Sequence, residues 1–221
     1  MERPMARQSY WARNFIGWPR WSNFQPNLSH RTLARWEDTG KISQLVTQNV
    51  DQLHYKAGSR NVVELHGTNS LVRCMSCCYY LPRMQFQRIL EQQNPTMIPR
   101  VADIRPDGDV ELTEDEVKQF KVPSCPKCSG FLKPNVVFFG DNVPRPRVDQ
   151  VRRKVDESDS LLVIGSSLYV FSAFRFINQA VENRIPIAII NIGPTRGDKM
   201  ADLKIEAKSG DVLPNIDFAN L

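Results

Sequence analysis

Two cysteine pairs, Cys74-x-x-Cys77 and Cys125-x-x-Cys128, carry the strongest chemical signal in this 221-residue chain. A C-x-x-C knuckle presents two soft ligands from one tight turn, and two knuckles complete a zinc tetrahedron. Gly130 after the second knuckle lets the chain turn back. Four thiolates leave no corner for water, so the expected site is closed and structural. A redox C-x-x-C pair is the competing reading. The stretch 78–124 between the knuckles is longer than in a plain ribbon and implies an insertion. The fifth cysteine, Cys78, could stand in for Cys77, but the spacing favours Cys77. Left over, Cys78 reads as a small semi-buried residue rather than a reactive thiol.

His66 is the candidate general base. It follows the apolar run Val62-Val63-Glu64-Leu65 and precedes Gly67, and its ordinary pKa near 6.5 suits proton abstraction at neutral pH. A packed or capping histidine fits the position equally well. His30 reads as a surface residue of a helix, and His54 as an ordering residue of the loop after Asp51. Small or polar residues also follow the other apolar runs: Gln48-Asn49-Val50-Asp51, Phe139-Gly140-Asp141, Gly165-Ser166-Ser167 and Asn191-Ile192-Gly193. Any one alone is ordinary turn chemistry. Together they describe a nucleotide site, with glycines admitting phosphate or ribose to the backbone and Ser and Asn supplying hydrogen bonds.

The elements that would position these groups read as α/β. Leu45–Thr47, Val62–Leu65, Val136–Phe139, Ser160–Ile164 and Ile185–Ile190 are short apolar strands, several of them uninterrupted. Asn27 caps a helix from about Leu28 to Asp38, with Gly40 as its stop. Further helices are expected over Met84–Gln92, Val148–Asp156 and Ala173–Asn183. Buried strands alternating with helices indicate a parallel sheet covered on both faces, whose ligands bind beyond the carboxyl ends of the strands. A polar loop is expected near Ile104–Val110.

The composition, 41% hydrophobic and 24% charged with a net charge of +5, is ordinary for a globular protein. The pI near 9.0 suits an anionic ligand. No run of five basic residues and no long apolar stretch is present, so neither nucleic acid nor a membrane is an expected partner. A zinc-ribbon nucleic-acid binder would need basic and aromatic residues around the knuckles, and Lys127 and Lys133 are too few. No signal peptide is visible. Arg3, Arg7, Arg13 and Arg20 beside the lone acid Glu2 faintly resemble a transit peptide, but Trp11, Phe15, Trp18 and Trp21 look like packing residues.

The motifs in order resemble the sirtuins. Thr47-Gln48-Asn49-Val50-Asp51-Gln52-Leu53-His54, Lys56-Ala57-Gly58-Ser59 and Glu64-Leu65-His66-Gly67 carry the likeness. So do the cysteine knuckles, Lys133 to Asp141, Gly165-Ser166-Ser167-Leu168 and Asn191-Ile192-Gly193-Pro194. Gln8 to Phe15, Gly17-Trp18-Pro19 and Pro106-Asp107-Gly108-Asp109-Val110 are similar to the class II mitochondrial branch, the sirtuin-four type. The resemblance implies a Rossmann-like parallel sheet with an inserted small zinc-ribbon and helical module. It assigns 1–39 to a helical segment of the small module, 40–67 and 132–221 to the NAD-binding domain, and 68–131 to the zinc module.

It also implies an NAD-dependent protein-lysine deacylase of the lipoamidase, biotinylase or long-acyl type, or a protein ADP-ribosyltransferase, releasing nicotinamide. Expected partners are acylated or ADP-ribosylated proteins, mitochondrial metabolic enzymes among them, in the mitochondrial matrix. His66 would be the base on a ribose hydroxyl. Gln48, Asn49 and Asp51 would line the nicotinamide and ribose pocket. Gly165, Ser166 and Ser167 would hold phosphate and ribose, and Asn191, Ile192, Gly193 and Ser209 the adenosine end. Cys74, Cys77, Cys125 and Cys128 would hold one structural zinc. Family members open with a strand and a Gly-Ala-Gly phosphate loop that this sequence does not show. The resemblance therefore leads one to expect a sheet lacking its first strand, and a truncated, catalytically silent binding protein as the alternative function.

Overall fold

The computed structural model describes residues 3–97 and 110–218. The expected polar loop near Ile104–Val110 lies outside the described residues except for Val110. The chain forms two compact units, one of Met1–Phe24 and Gly67–Val136, the other of Gln25–His66 and Val137–Leu221.

The first unit is built on a three-stranded antiparallel sheet. Strand β3 (Gly67–Cys74) lies between β4 (Tyr80–Pro82) and β5 (Leu132–Val136). Helix α1 (Pro4–Ser22) starts with a proline, which loses nothing at a position whose N–H has no helical acceptor. It buries Trp11, Phe15 and Trp18, at spacings of four and three, on one face. The Trp11 indole donates to the Leu132 carbonyl at 3.0 Å. Trp11 and Phe15 join Val72, Leu81, Phe86, Leu90 and Leu132 in one core, to which α4 (Arg83–Gln93) contributes Phe86 and Leu90. Inside this unit Arg83 is fully buried. Two of its guanidinium nitrogens bond Asn14 Oδ1, at 2.6 and 2.9 Å, and its charge faces the Trp18 ring at 4.5 Å. Helix α5 (Glu114–Gln119) opens on a reciprocal capping box between Thr113 and Glu116.

The second unit holds the parallel strands. β1 (Leu45–Thr47) pairs with β2 (Val62–Glu64), and β6 (Leu161–Ile164), β7 (Ile187–Ile190) and β8 (Leu203–Ile205) form a three-stranded parallel sheet. Helices α6 (Arg145–Asp156) and α7 (Phe171–Glu182) supply Val148, Val151, Val155, Phe174, Ile177 and Ala180 to a core with Val63, Leu65, Ile187 and Ile189. A second core joins Leu33 and Trp36 of α2 (Leu28–Asp38) to Leu45, Ile190 and Leu213. The Asn27 cap is observed as a capping box whose N3 partner is His30. Helix α2, expected in the small module, falls in this second unit.

Among the elements that differ from expectation, two strands, β5 and β3, have a clear physical reason. The strand expected over 136–139 instead spans Leu132–Val136 and pairs antiparallel with β3. One further bond, Val137 N–H to the His66 carbonyl, extends the ladder. Beyond it the Asp141 carboxylate accepts the Phe138 N–H, and Asp141 N–H donates to the Phe138 carbonyl. This local turn, with Gly140 at φ +87°, competes successfully with continued pairing. β3 itself was not foreseen, because buried polar residues, Thr68 and Asn69, break its apolar alternation.

Candidate functional site

The polar groups after β1, β2 and β6 meet in the second unit. Leu65 is fully buried and hands the chain to His66, which is half-buried. The His66 Nδ1 lies 3.2 Å from the Gln48 carbonyl. A carbonyl only accepts, so Nδ1 carries the proton and Nε2 of the neutral ring is the acceptor. Nε2 is 2.8 Å from the Ser172 hydroxyl at the start of α7. Arg147 of α6 donates to the Leu65 carbonyl at 3.0 Å, directly before the histidine. Burial, then the Arg147 charge, lower the His66 pKa below its ordinary 6.5, against the opposing effect of the Gln48 carbonyl. The ring is therefore a neutral base at neutral pH.

The Gln48 side chain continues the chain of contacts, donating to Ser166 Oγ at 3.0 Å. Ser166 Oγ also accepts from the Leu168 N–H at 3.2 Å. With both lone pairs engaged, its O–H is the group left for a ligand. Leu168 holds φ +58° although it is not glycine, a conformation maintained by burial. Behind it stands Gly197, where an added Cβ would lie 2.8 Å from Leu168 Cδ1. Asn49 and Asp51 serve their own loop: Asn49 N–H donates to Thr47 Oγ1, and Asp51 Oδ1 accepts from Leu53 N–H. The latter bond starts α3 (Leu53–Lys56). His54 packs against His30 with ring centroids 4.6 Å apart, so His30 faces a partner rather than open surface.

A cavity of about 410 Å³ opens at the ends of β6 and β7. Gly165, Asn191, Ile192 and Ser209 line it, together with Asn27, Ser29 and Lys208. Ser29 and Ser209 share a 2.8 Å hydrogen bond across it. Its volume and rim of hydroxyls and amides suit a nucleoside-sized group. Gly193 sits outside the lining; its N–H donates to Glu206 Oε1 and its carbonyl accepts from Lys204 Nζ. Asn191 folds its amide back onto the carbonyls of Ile192 and Gly193. Ser167 contributes its carbonyl, which accepts the Arg196 N–H at 2.9 Å. Sequence reasoning missed Ser29, Arg147 and Ser172. Each looks like an ordinary polar helix residue, and only Asn27 left a trace, as a cap.

In the first unit the sulfurs of Cys74, Cys77, Cys125 and Cys128 all lie within 4.8 Å of one another. The Cys74–Cys128 and Cys77–Cys125 pairs are 3.4 and 3.7 Å apart. A tetrahedron of about 2.3 Å zinc–sulfur bonds places its sulfurs about 3.8 Å apart, so the four thiols fit the ion. The second knuckle is closed by Ser129 N–H to the Cys125 carbonyl and Cys125 N–H to the Gly130 carbonyl. A Cβ on Gly130 would lie 2.5 Å from Ser76 Oγ, which explains the glycine. Cys78 is exposed and stands outside the cluster.

A parallel α/β unit with its polar groups at the strand ends, joined in one chain to a four-cysteine unit, defines a nucleotide-binding protein with a zinc module. The comparisons narrow the class. A family profile described as "Sir2 family" matches residues 1–172, and the chain belongs to that family. It is 54% identical to "NAD-dependent protein deacylase Sirt4" of Drosophila melanogaster, over 97% of this chain and 69% of that protein. It is 53% identical to "NAD-dependent protein lipoamidase sirtuin-4, mitochondrial" of Homo sapiens, over 96% of this chain and 67% of that protein. Among solved structures, one described as "Sir2-p53 peptide-NAD+" matches with a TM-score of 0.72 at 28% identity, covering 88% of this chain and 70% of the other. The Rossmann-like α/β fold expected from the sequence is thus observed.

Proposed function

We propose that the protein is an NAD-dependent protein-lysine deacylase of the lipoamidase, biotinylase or long-acyl type, with protein ADP-ribosyl transfer as a related outcome of the same chemistry. The observation that carries this reading is the His66 ring. Its Nδ1–H is fixed on the Gln48 carbonyl and its Nε2 accepts from the Ser172 hydroxyl, while the side chain of the same Gln48 donates to Ser166. NAD supplies a ribose carbon made electrophilic by a leaving nicotinamide. His66 takes a proton at Nε2. Gln48, Asn49 and Asp51 line the nicotinamide and ribose end. Gly165, Ser166 and Ser167 hold phosphate and ribose, the Ser166 O–H donating. Asn191, Ile192 and Ser209 form the adenosine end around the 410 Å³ cavity, with Gly193 next to Ile192 in the same loop. The zinc held by Cys74, Cys77, Cys125 and Cys128 braces its own unit and takes no part in the reaction.

Substrates in this reading are acylated proteins, mitochondrial metabolic enzymes among them, met in the mitochondrial matrix. Phe139, 96% exposed, and Tyr169, 68% exposed, offer apolar surface to an acyl-lysine segment added as a strand beside 138–140 and the loop after Ser167. Identity above 50% to enzymes across nearly the whole chain supports this activity over a silent binding protein. The test is nicotinamide release from NAD with lipoyl-, biotinyl- and long-acyl-lysine peptides. Wild type should turn over at least one of them, and His66→Ala should lose about 10²–10⁴-fold in rate. Equal rates in the two proteins would refute the assignment of His66.

A further inference from the structure

We propose that Ser172 is the proton relay of the site, a hydroxyl interposed between the substrate and Nε2 of His66; this rests on the reading of His66 as the base. The hydrogen-bond directions follow from the partners. Because the Gln48 carbonyl can only accept, Nδ1 of His66 is protonated. In the neutral ring Nε2 can then only accept, so the 2.8 Å contact is a donation from Ser172 O–H to Nε2. The lone pair needed for base catalysis is already committed to this hydroxyl. Ser172 Oγ retains its own lone pairs for an incoming O–H.

The step balances without a further reactant. A substrate hydroxyl gives its proton to Ser172 Oγ as Ser172 gives its proton to Nε2. The substrate oxygen becomes the nucleophile, serine is regenerated as an alcohol, and His66 becomes an imidazolium still held by the Gln48 carbonyl. The position of the residue favours the exchange. Ser172 is the second residue of the 12-residue helix α7, where the exposed N–H groups and the helix dipole stabilise negative charge developing on Oγ. Arg147 of α6 on the Leu65 carbonyl and the Leu65 side chain, buried in the core with Phe174 and Ile177 of α7, hold the backbone that leads into His66.

Two variants and two readouts test the relay. Ser172→Ala removes the hydroxyl, whereas Ser172→Thr keeps it. With an acyl-lysine peptide, Ser172→Ala should lower kcat about 10–100-fold and leave KM for NAD within about twofold, while Ser172→Thr should recover most of the loss. In the protein without NAD, nitrogen-15 NMR of His66 should show an Nδ1–H ring in wild type. The Nε2 resonance should move toward that of an unbonded acceptor in Ser172→Ala but not in Ser172→Thr. A kcat for Ser172→Ala within about twofold of wild type, with His66→Ala inactive, would overturn the relay and leave His66 as the base. An Nε2 resonance unmoved by Ser172→Ala would overturn the hydrogen bond on which the relay stands. A wild type that turns over no acyl peptide would overturn the relay together with the reading of the enzyme.

Discussion

Gly67→Ala should be among the most damaging single-methyl additions in the protein. Gly67 has φ +83° and pairs with Val136 where β3 meets β5. A Cβ there would stand 2.1 Å from the Asn135 carbonyl oxygen and 3.3 Å from Val136 Cα. Two effects add. An alanine at positive φ costs about 1–2 kcal/mol. The oxygen contact is about 1 Å too close for a methyl group, and because it involves backbone, relief requires the strands to part. That weakens one or two ladder bonds at about 1 kcal/mol each and strains their neighbours. The total is about 3–4 kcal/mol, a large share of a typical 5–15 kcal/mol stability. Gly40 is the control: its φ is +74°, but nothing lies within 4 Å of an added Cβ, so Gly40→Ala should show only the backbone part. Urea unfolding followed by tryptophan fluorescence reads both, since Trp11 and Trp18 are buried in the unit that contains Gly67, and Trp36 in the one that contains Gly40. Equal costs for the two substitutions, within about 0.5 kcal/mol, would show that the steric argument is wrong.

Metal analysis should give one zinc per chain, and Cys125→Ser should lose it and raise hydrogen exchange in β3–β5, with the second unit's exchange unchanged. Burial foremost, with the neighbouring His30, lowers the His54 pKa to about 4 despite Asp51 and Glu37. Such a depressed histidine contributes stability that is present above the unfolded value of 6.5 and lost as pH falls from there toward 4. Partial exposure discounts the effect to about 1–2 kcal/mol, so the urea midpoint should drop over that window and drop less in His54→Asn. Asn27→Ala should cost about 1 kcal/mol, because it removes the side-chain acceptor for the His30 N–H that starts α2. A larger loss of NAD affinity than of stability would mark Asn27 as part of the cavity it lines.

What the sequence made legible follows a physical pattern. β1, β2, β6 and β7 stand out as short apolar runs, the pattern of strands in a covered parallel sheet, although Val46 of β1 and Leu162 of β6 are exposed. The cysteine knuckles stood out because tetrahedral ligation imposes a spacing. Asn27 was visible because a cap is a local bond between near neighbours. β3 was hidden by Thr68 and Asn69, polar residues buried within the strand. The end of β5 was misplaced because the Asp141 turn outcompetes the ladder for the Phe138 N–H. Ser172 and Arg147 were missed because their bonds to residues 66 and 65 cross 106 and 82 positions of chain. No local pattern encodes such contacts, and fold must be known before they can be seen. The same holds for Ser29, whose partner Ser209 is 180 positions away.

The central claim, that the strand-end site couples NAD cleavage to lysine deacylation, is met most directly by stoichiometry. Wild-type protein should be incubated with NAD and a lipoyl- or long-acyl-lysine peptide, and released nicotinamide and freed lysine counted together. One nicotinamide should appear per lysine freed, and neither product when NAD is omitted. Lysine freed without NAD, or without matching nicotinamide, would contradict that coupling.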